Sequence, residues 1–399
     1  MPSLDRLWLR ELIQQKHHDI RSKEEQQNHN ALVTKYPILK GKVLAVAPMV
    51  EQSDLPFRRL CRKYGANLCY TPMINARYFV KKQSYRDKMF DFSLCDDKLN
   101  NNARQDSDRP LIAQLCANNK ENLLRAAKLL EHHVDAIDLN CGCPTKVAKR
   151  GGFGAYLLES RDYVVDMVRY LVEHVSIPVT VKVRLLPEGI DQSLELYRKL
   201  VDAGASLLTV HGRTRLQKGR SVSKADWSAI RSVVQCLGGR VPVIANGNIS
   251  NLDDVRACLA YTGCDGIMSS ESILEYPPLY TETGTEAVSY KRMGPGRLAI
   301  AREYLDLCRE SPPHEGGGGT RLQCIKMHLL KFCHEDWKDH PLLRDSMFPV
   351  RRDEFEQLVE SHESELDFYY KILDQVESIQ SSRNHKVKDE RLSWYIRHR

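Results

Sequence analysis

Long apolar runs are missing from this chain. No stretch of its 399 residues approaches the roughly 20 apolar residues of a membrane span, and the N-terminal MPSLDRLWLRELIQQKHHDI is charged throughout where a secretory leader would carry an apolar core. The expectation is a soluble protein without a membrane partner, cytoplasmic and with the nucleus also open to it. A dinucleotide-binding glycine repeat is missing too, so no domain is set aside for a nicotinamide coenzyme. The Cys-x-Cys at 141–143 lacks a second ligand pair at suitable spacing, and His132 and His133 fall in an expected helix, so no metal is expected. The 12 cysteines do not read as a disulfide framework either. Cys69, Cys116, Cys258 and Cys308 lie inside apolar runs, where a reduced thiol behaves as a small hydrophobe.

What is present is ordinary for a globular protein: 42% hydrophobic and 28% charged residues, enough to bury a sizeable core in one large domain with a smaller appendage. The formal charge of +7 is compatible with a polyanionic partner without requiring one. Its distribution says more. Residues 381–399 hold six Lys/Arg against two Asp/Glu, with Trp394 and Tyr395 interleaved, the composition of a basic tail that is either simply solvated or touches RNA.

From about residue 41, short β-branched runs alternate with longer amphipathic ones, the pattern of repeated β-α units. Eight runs are found: VLAVAPM (43–49), NLCYTPM (67–73), PLIAQLC (110–116), AIDLNCG (136–142), VTVKVR (179–184), LLTVHGR (207–213), VPVIANG (241–247) and GIMSS (266–270). Eight parallel strands close a TIM barrel, so the fold class is α/β, a (β/α)8 barrel. Segments such as KENLLRAAKLLEHH and SLELYRKLVDAGA supply its outer helices, several stopped by Gly or Asn. The insertion at roughly 75–109 reads as a long loop above one face, either solvated or a lid. After residue 280 the strand signal stops and Gly/Pro punctuation separates helical stretches, which predicts a small C-terminal helical domain. The divisions are thus an N-terminal extension at 1–40, the barrel at 41–285, a helical domain at 290–380 and the basic tail.

An inward-packed barrel strand has no packing need for polar groups at its C-terminal end, yet five runs place Gln114, Asn140, Lys182, His211 and Asn246 there. Those ends open onto one face, where the active sites of this fold form. A long cation, an imidazole, a donor–acceptor amide and the turn Asn246-Gly247-Asn248 suit the carbonyls, ring nitrogens and phosphate of flavin mononucleotide (FMN). Backbone groups of Pro48, Met49 and Val50 are placed to meet the ring edge. Just past the fourth strand, Asn140-Cys141-Gly142-Cys143-Pro144 sets Cys143 on a Gly/Pro turn over the open face, where a thiol can act as acid or nucleophile. Cys141 can be merely buried.

The colinear motifs APMVEQSDLPFR, CYTPM, IAQLCA, DLNCGCPTKVAKRGGFGAYLL, VTVKVR, TVHGRTR and VIANGNI, spanning about Val43 to Ser270, give a chain that resembles the tRNA-dihydrouridine synthases. The resemblance implies FMN-dependent, NADPH-driven reduction of uridine to dihydrouridine in tRNA, with hydride passing from flavin N5 to uracil C6. It makes Cys143 the proton donor to C5 and Asn140 the holder of the target base. Pro48, Met49, Val50, Gln114, Lys182, His211, Asn246, Gly247 and Asn248 become the flavin site. Lys149, Arg150, Arg184, Arg213 and Arg215 are candidate contacts to RNA, although Arg184 and Arg213 can equally order the flavin or its neighbours. The target base must be extruded to reach a flavin.

The sequence departs from the family at Met268-Ser-Ser-Glu-Ser, where many members carry Gly-Arg. Glu271 stands where an arginine would meet the phosphate, so backbone amides around Ser269 and Ser270 are expected to replace that contact. This form looks most like the eukaryotic branch acting on positions 16 and 17 of the D-loop. A monomer is expected. Two alternatives remain open: a flavin barrel that reduces a free pyrimidine or small enone, and a tRNA-binding protein that has lost its chemistry.

Overall fold

The computed structural model describes residues 42–90, 92, 108–281, 296–313, 321–339, 341–346 and 362–382. The expected N-terminal extension and basic tail therefore lie outside the described residues, apart from the helix end at 381–382.

All eight expected strands are present and close on themselves: β1 (Val43–Val46), β2 (Leu68–Tyr70), β4 (Leu111–Cys116), β5 (Ala136–Cys141), β6 (Val179–Leu185), β7 (Leu207–Thr214), β8 (Val243–Asn246) and β9 (Gly266–Ser269). Every pairing is parallel, and β1 pairs with both β2 and β9, which completes the ring. A further two-residue strand, β3 (Ile74–Asn75), lies alongside the end of β4 and heightens the wall there. It was not legible because two residues carry no period. The insertion beginning near residue 75 is not all loop: Ala76–Lys81 and Gln83–Met89 are short helices, the first capped by Asn75. Residue 91 and residues 93–107 of it lie outside the described set.

The outer helices begin and end where local chemistry dictates. Asn119, Asp226 and Asn251 each accept an orphan backbone N–H at a helix start. Gly238 and Gly263 end two of these helices in the left-handed conformation.

Strand parity then sorts the barrel's side chains. Ile137, Leu139, Val181, Val183, Leu208 and Val210 point outward into the helix-packed core. The inward set starts apolar, with Ala45, Leu68, Ile112, Ala136, Leu207 and Ile244 sealing the lower end. One step up, on β4 to β7, it turns polar through Gln114, Asp138, Thr180 and Thr209, all fully buried.

The helices that follow the barrel form the expected C-terminal unit. Arg297–Glu310 lies against the first barrel helix, Leu55–Lys63, and Arg321–Phe332 against the short helix Glu271–Glu275. The seam is polar as well as apolar. His328 Nε2 meets Asp54 Oδ2 at 2.8 Å, its ring stacked on Phe57 at 4.5 Å between centroids, and the Tyr304 hydroxyl lies 3.4 Å from Asp54 Oδ1. Burial pushes His328 below the usual imidazole range, so at neutral pH the neutral ring donates Nε2–H to the carboxylate. Burial alone would raise Asp54, but His328, the Phe57 amide and Arg58 hold it below the usual carboxylate range.

Both shifts have the same consequence. The unfolded chain takes up a proton on histidine near pH ~6.5 while the folded chain does not, so stability falls as pH drops through that value; Asp54 adds a further loss at lower pH. His328→Ala is expected to remove about 2–4 kcal/mol through a cavity and a lost charge-assisted hydrogen bond, and to flatten the acid limb. Thermal midpoints measured from pH 5 to 8 check this; an acid limb as steep in the variant as in the parent would contradict it.

Candidate active site

The five polar residues expected at one rim are brought together. Gln114 stands beside Asp138 in the β4–β5 register, Asn140 beside Lys182, and His211 beside Asn246. Asn140 Nδ2 donates to Gln114 Oε1 at 2.7 Å, and Lys182 Nζ donates to Asn246 Oδ1 at 3.0 Å. Asn246 Nδ2 in turn donates to the Met268 carbonyl at 2.9 Å. Burial pulls the Lys182 ammonium down to about 8, helped by Arg184 and opposed by Asp138.

Cys143 and Cys141 separate as physical environments. Cys141 is the last residue of β5 and faces the outer core, where burial pushes its thiol well above the usual range. Cys143 is half-buried on the turn beyond, its Sγ 3.3 Å from Thr145 Oγ1. That turn is held at several points. Asn140 Oδ1 accepts the Gly142 and Cys143 amides at 3.1 and 3.0 Å, and Arg184 Nε donates to the Gly142 carbonyl at 2.8 Å. Thr145 caps the helix Lys146–Gly151, and Ala155 N donates back to the Cys143 carbonyl at 3.0 Å.

At the end of β8, Gly247 and Asn248 both adopt left-handed backbone conformations, φ 110° and 58°. A Cβ on Gly247 would sit 2.7 Å from Ala225 Cβ and 3.1 Å from the His211 ring. The turn therefore runs as bare backbone beside the imidazole. Arg213 organises this corner: its guanidinium reaches His211 Nε2 at 3.1 Å, the Ser223 carbonyl at 2.6 Å and Asn248 Oδ1 at 2.6 Å.

The structure alters several expectations. Arg213 is buried and committed to three protein partners, which makes it a brace for His211 and Asn248, not an RNA-facing cation. Arg184 likewise ties the Gly142 and Thr214 carbonyls together. Ser269 does not offer its amide outward: that N–H donates to the Tyr280 hydroxyl at 3.0 Å, and its own hydroxyl donates to the Ile249 carbonyl. Ser270, at the start of the helix Glu271–Glu275, is less buried. The Met49 amide is occupied by the Ser53 hydroxyl at 3.0 Å, Pro48 has no N–H, and Val50 is 45% exposed. Lys149 and Arg150 are solvent-facing, and Arg215 pairs with Glu159 while lying 5.4 Å over the Tyr156 ring. Glu271 is less discordant than its sequence position suggests, because its charge acts favourably on Arg184, Arg213 and Lys331.

Asp138 was not among the expected site residues. It is fully buried beneath the rim, accepting from Gln114 Nε2 at 2.8 Å and from Thr180 Oγ1 at 2.7 Å. Burial pushes its carboxyl up to about 6, opposed by those two hydrogen bonds and by Lys182. The signal was present in the sequence: Asp138 precedes Asn140 by two, as Thr180 precedes Lys182 and Thr209 precedes His211, so all six share the inner face.

A closed parallel barrel whose mouth gathers amides, an amine, an imidazole and a half-buried thiol defines a TIM-barrel protein with a candidate ligand site at the C-terminal ends of its strands. Comparison with known proteins narrows the class. The chain belongs to the dihydrouridine synthase family, whose model matches residues 45–365. It is 40% identical over 313 residues to a Mus musculus protein named as tRNA-dihydrouridine(16/17) synthase-like with an NAD(P) designation, covering 78% of this chain and 60% of that one. A Schizosaccharomyces pombe tRNA-dihydrouridine(16/17) synthase is 36% identical over 303 residues, 76% of this chain and 72% of that one. A Homo sapiens tRNA-dihydrouridine(20a/20b) synthase-like protein is 33% identical over 294 residues, 73% and 82% of the two chains. The chain thus spans less than two thirds of the mouse relative's length. Among the described residues, no helix is long and apolar enough to cross a membrane.

Proposed function

We propose that this protein reduces uridine to 5,6-dihydrouridine in the D-loop of tRNA, at positions 16 and 17, using FMN recharged by NADPH. The observation that carries the reading is the accessible Cys143 thiol on a turn fixed to Asn140, at the same mouth as Lys182 and the Gly247–Asn248 turn. The donor set fits FMN. Lys182 and His211 present a cation and an imidazole inside the mouth, and the bare backbone at Gly247, with Asn248 braced by Arg213, makes a cradle that a Cβ would fill. Bound there, FMN would supply the hydride that uracil C6 receives.

The chain's own residues supply the rest. Cys143 holds the proton that C5 must receive, and Asn140 positions the thiol's turn through its side-chain oxygen while its amide nitrogen faces Gln114. Polar groups satisfied by protein partners around the mouth keep it ordered before any ligand arrives. Lys149 and Arg150 stand exposed on the helix following Cys143, where they can meet phosphate. The test is direct. Unmodified tRNA incubated with the protein, FMN and NADPH is expected to gain dihydrouridine at positions 16 and 17, read by position-resolved mapping. Modification elsewhere would reject the site assignment, and none at all would leave reduction of a free pyrimidine as the better reading.

A second expectation concerns pH. Because burial pulls the ligand-free Lys182 ammonium down to about 8, FMN affinity is expected to decline as pH rises through that value, when the cation that meets the ligand is lost. Lys182→Met should weaken binding by about tenfold or more and remove the dependence. Fluorescence titrations from pH 7 to 9.5 measure both effects; a parent affinity flat over that range would contradict the role given to Lys182.

A further inference from the structure

Three side chains at the mouth form a hydrogen-bond relay with only one possible direction. Asn140 Oδ1 receives the backbone N–H groups of Gly142 and Cys143, and backbone amides can only donate. The orientation of the Asn140 amide is thereby fixed, and its Nδ2 must donate onward. It donates to Gln114 Oε1, which turns the Gln114 nitrogen toward Asp138. Asp138 closes the relay as pure acceptor, with Thr180 donating to its other oxygen. An amide at the 138 position would present a donor choice where the carboxylate allows none.

We propose that Asp138 is a positioning residue: its carboxylate, which cannot donate, closes the relay in the same direction that the backbone amides begin it, and so holds the buried Gln114 amide and the Cys143 turn above it in a single arrangement. The inference rests on the reading of that mouth as the flavin and uracil site. Packing alone does not account for a carboxylate here, because a buried charge is costly unless its acceptors are used. The adjoining lower layer fills the same barrel with Ala, Leu and Ile. The charge is useful because an ionised carboxylate is a side-chain terminus with acceptors and no donor, so it agrees with the direction that the backbone amides impose on the two successive amides.

Reversal of the relay provides the test. In Asp138→Asn the terminus can donate as well as accept, so the relay is directed from its backbone end alone, Gln114 is held less firmly, and the Cys143 turn loosens. In the double variant Asp138→Asn/Asn140→Asp every link is satisfied again, with the carboxylate receiving the two backbone amides and Gln114 turned end for end. Full-length, FMN-loaded protein is reduced and mixed with tRNA, and single-turnover dihydrouridine formation is followed. In parallel, the flavin-free protein is treated with iodoacetamide and alkylation of Cys143 is followed by mass spectrometry.

Asp138→Asn is expected to slow turnover by about tenfold to 100-fold and to speed Cys143 alkylation by about tenfold, the scale of one lost buried hydrogen bond to a charged group. The double variant should recover the thermal midpoint and the parental alkylation rate while turnover stays at least about tenfold low. Turnover restored along with stability would overturn the proposal by reducing Asp138 to a structural role, as would Asp138→Asn with turnover within twofold of the parent. If Asp138→Asn does not fold alone, the double variant carries the test, and its failure to fold overturns the proposal, since a satisfiable relay is what it predicts. A parent protein that makes no dihydrouridine would reject the proposed function instead. The alkylation rates would then decide this inference, unchanged rates in Asp138→Asn overturning it.

Discussion

Cys143→Ala is expected to keep FMN and tRNA bound while losing dihydrouridine formation by about 100-fold to 10,000-fold, the range that a positioned general acid contributes. Binding survives because the turn is held through main-chain atoms. The Cys143 amide goes to Asn140, its carbonyl receives Ala155 N, and the neighbouring Gly142 carbonyl receives Arg184, none of which uses the sulfur. Only the thiol and its contact with Thr145 Oγ1 are removed. The informative control is Cys141→Ala. Cys141 is buried on the outward face of β5, so its truncation should cost about 1–2 kcal/mol of stability through lost packing and leave most of the turnover. Single-turnover assays on pre-reduced enzyme, with retained flavin measured by absorbance, distinguish the two. Equal losses from both cysteines would reject Cys143 as the proton donor, and loss of flavin from Cys143→Ala would show that the turn depends on the side chain after all.

Gly154→Ala is expected to be nearly as damaging, by a different route. Gly154 has φ 65°, and a Cβ there would fall 2.6 Å from the Cys143 carbonyl oxygen and 2.9 Å from the Cys143 Cβ. Left-handed backbone alone costs an L-residue about 1–2 kcal/mol. The steric overlap is with main chain, which cannot swing aside as a flexible side chain can, so total destabilisation of about 3 kcal/mol or more is expected. Relief comes by pushing the Cys143 turn outward, away from Asn140. Turnover should then fall by about 100-fold even at temperatures where the fold is intact, because a displacement of about 1 Å is enough to misplace a reacting group. By contrast, alanine at Gly219, which also has positive φ but no atom within 4 Å of an added Cβ, should cost only the backbone term. The two variants compared by thermal melting and turnover isolate the contact with Cys143; equal effects would dismiss it.

The barrel was legible because period and punctuation agree over its whole length. Each β-branched run has an inward and an outward face, and caps such as Asn119, Asn251, Gly238 and Gly263 mark where the helices begin and end. The rim residues were legible for a related reason: Lys182 and His211 are polar where packing asks for apolar side chains. What was not legible lies one layer down or across the chain. Asp138 looked like one more polar residue in AIDLNCG until parity put it beneath Asn140 and register put it beside Gln114. Arg213 carries the same charge as Arg215 two residues later, and only burial distinguishes the brace from the half-buried partner of Tyr156. The commitment of Ser269 to Tyr280 depends on a side chain eleven residues away, and that of Asp54 to His328 on one 274 residues away. Neither separation leaves a local trace.

The plug formed by Ala45, Leu68, Ile112, Ala136, Leu207 and Ile244 has a kinetic consequence under the proposed function. With the floor closed, the reductant and the RNA have a single doorway, and each blocks the other while it stands there. Turnover becomes an alternation in which spent nicotinamide must depart before a nucleotide can be admitted. Initial-rate plots at several fixed NADPH concentrations should therefore run parallel, and excess of either substrate should slow the other's turn.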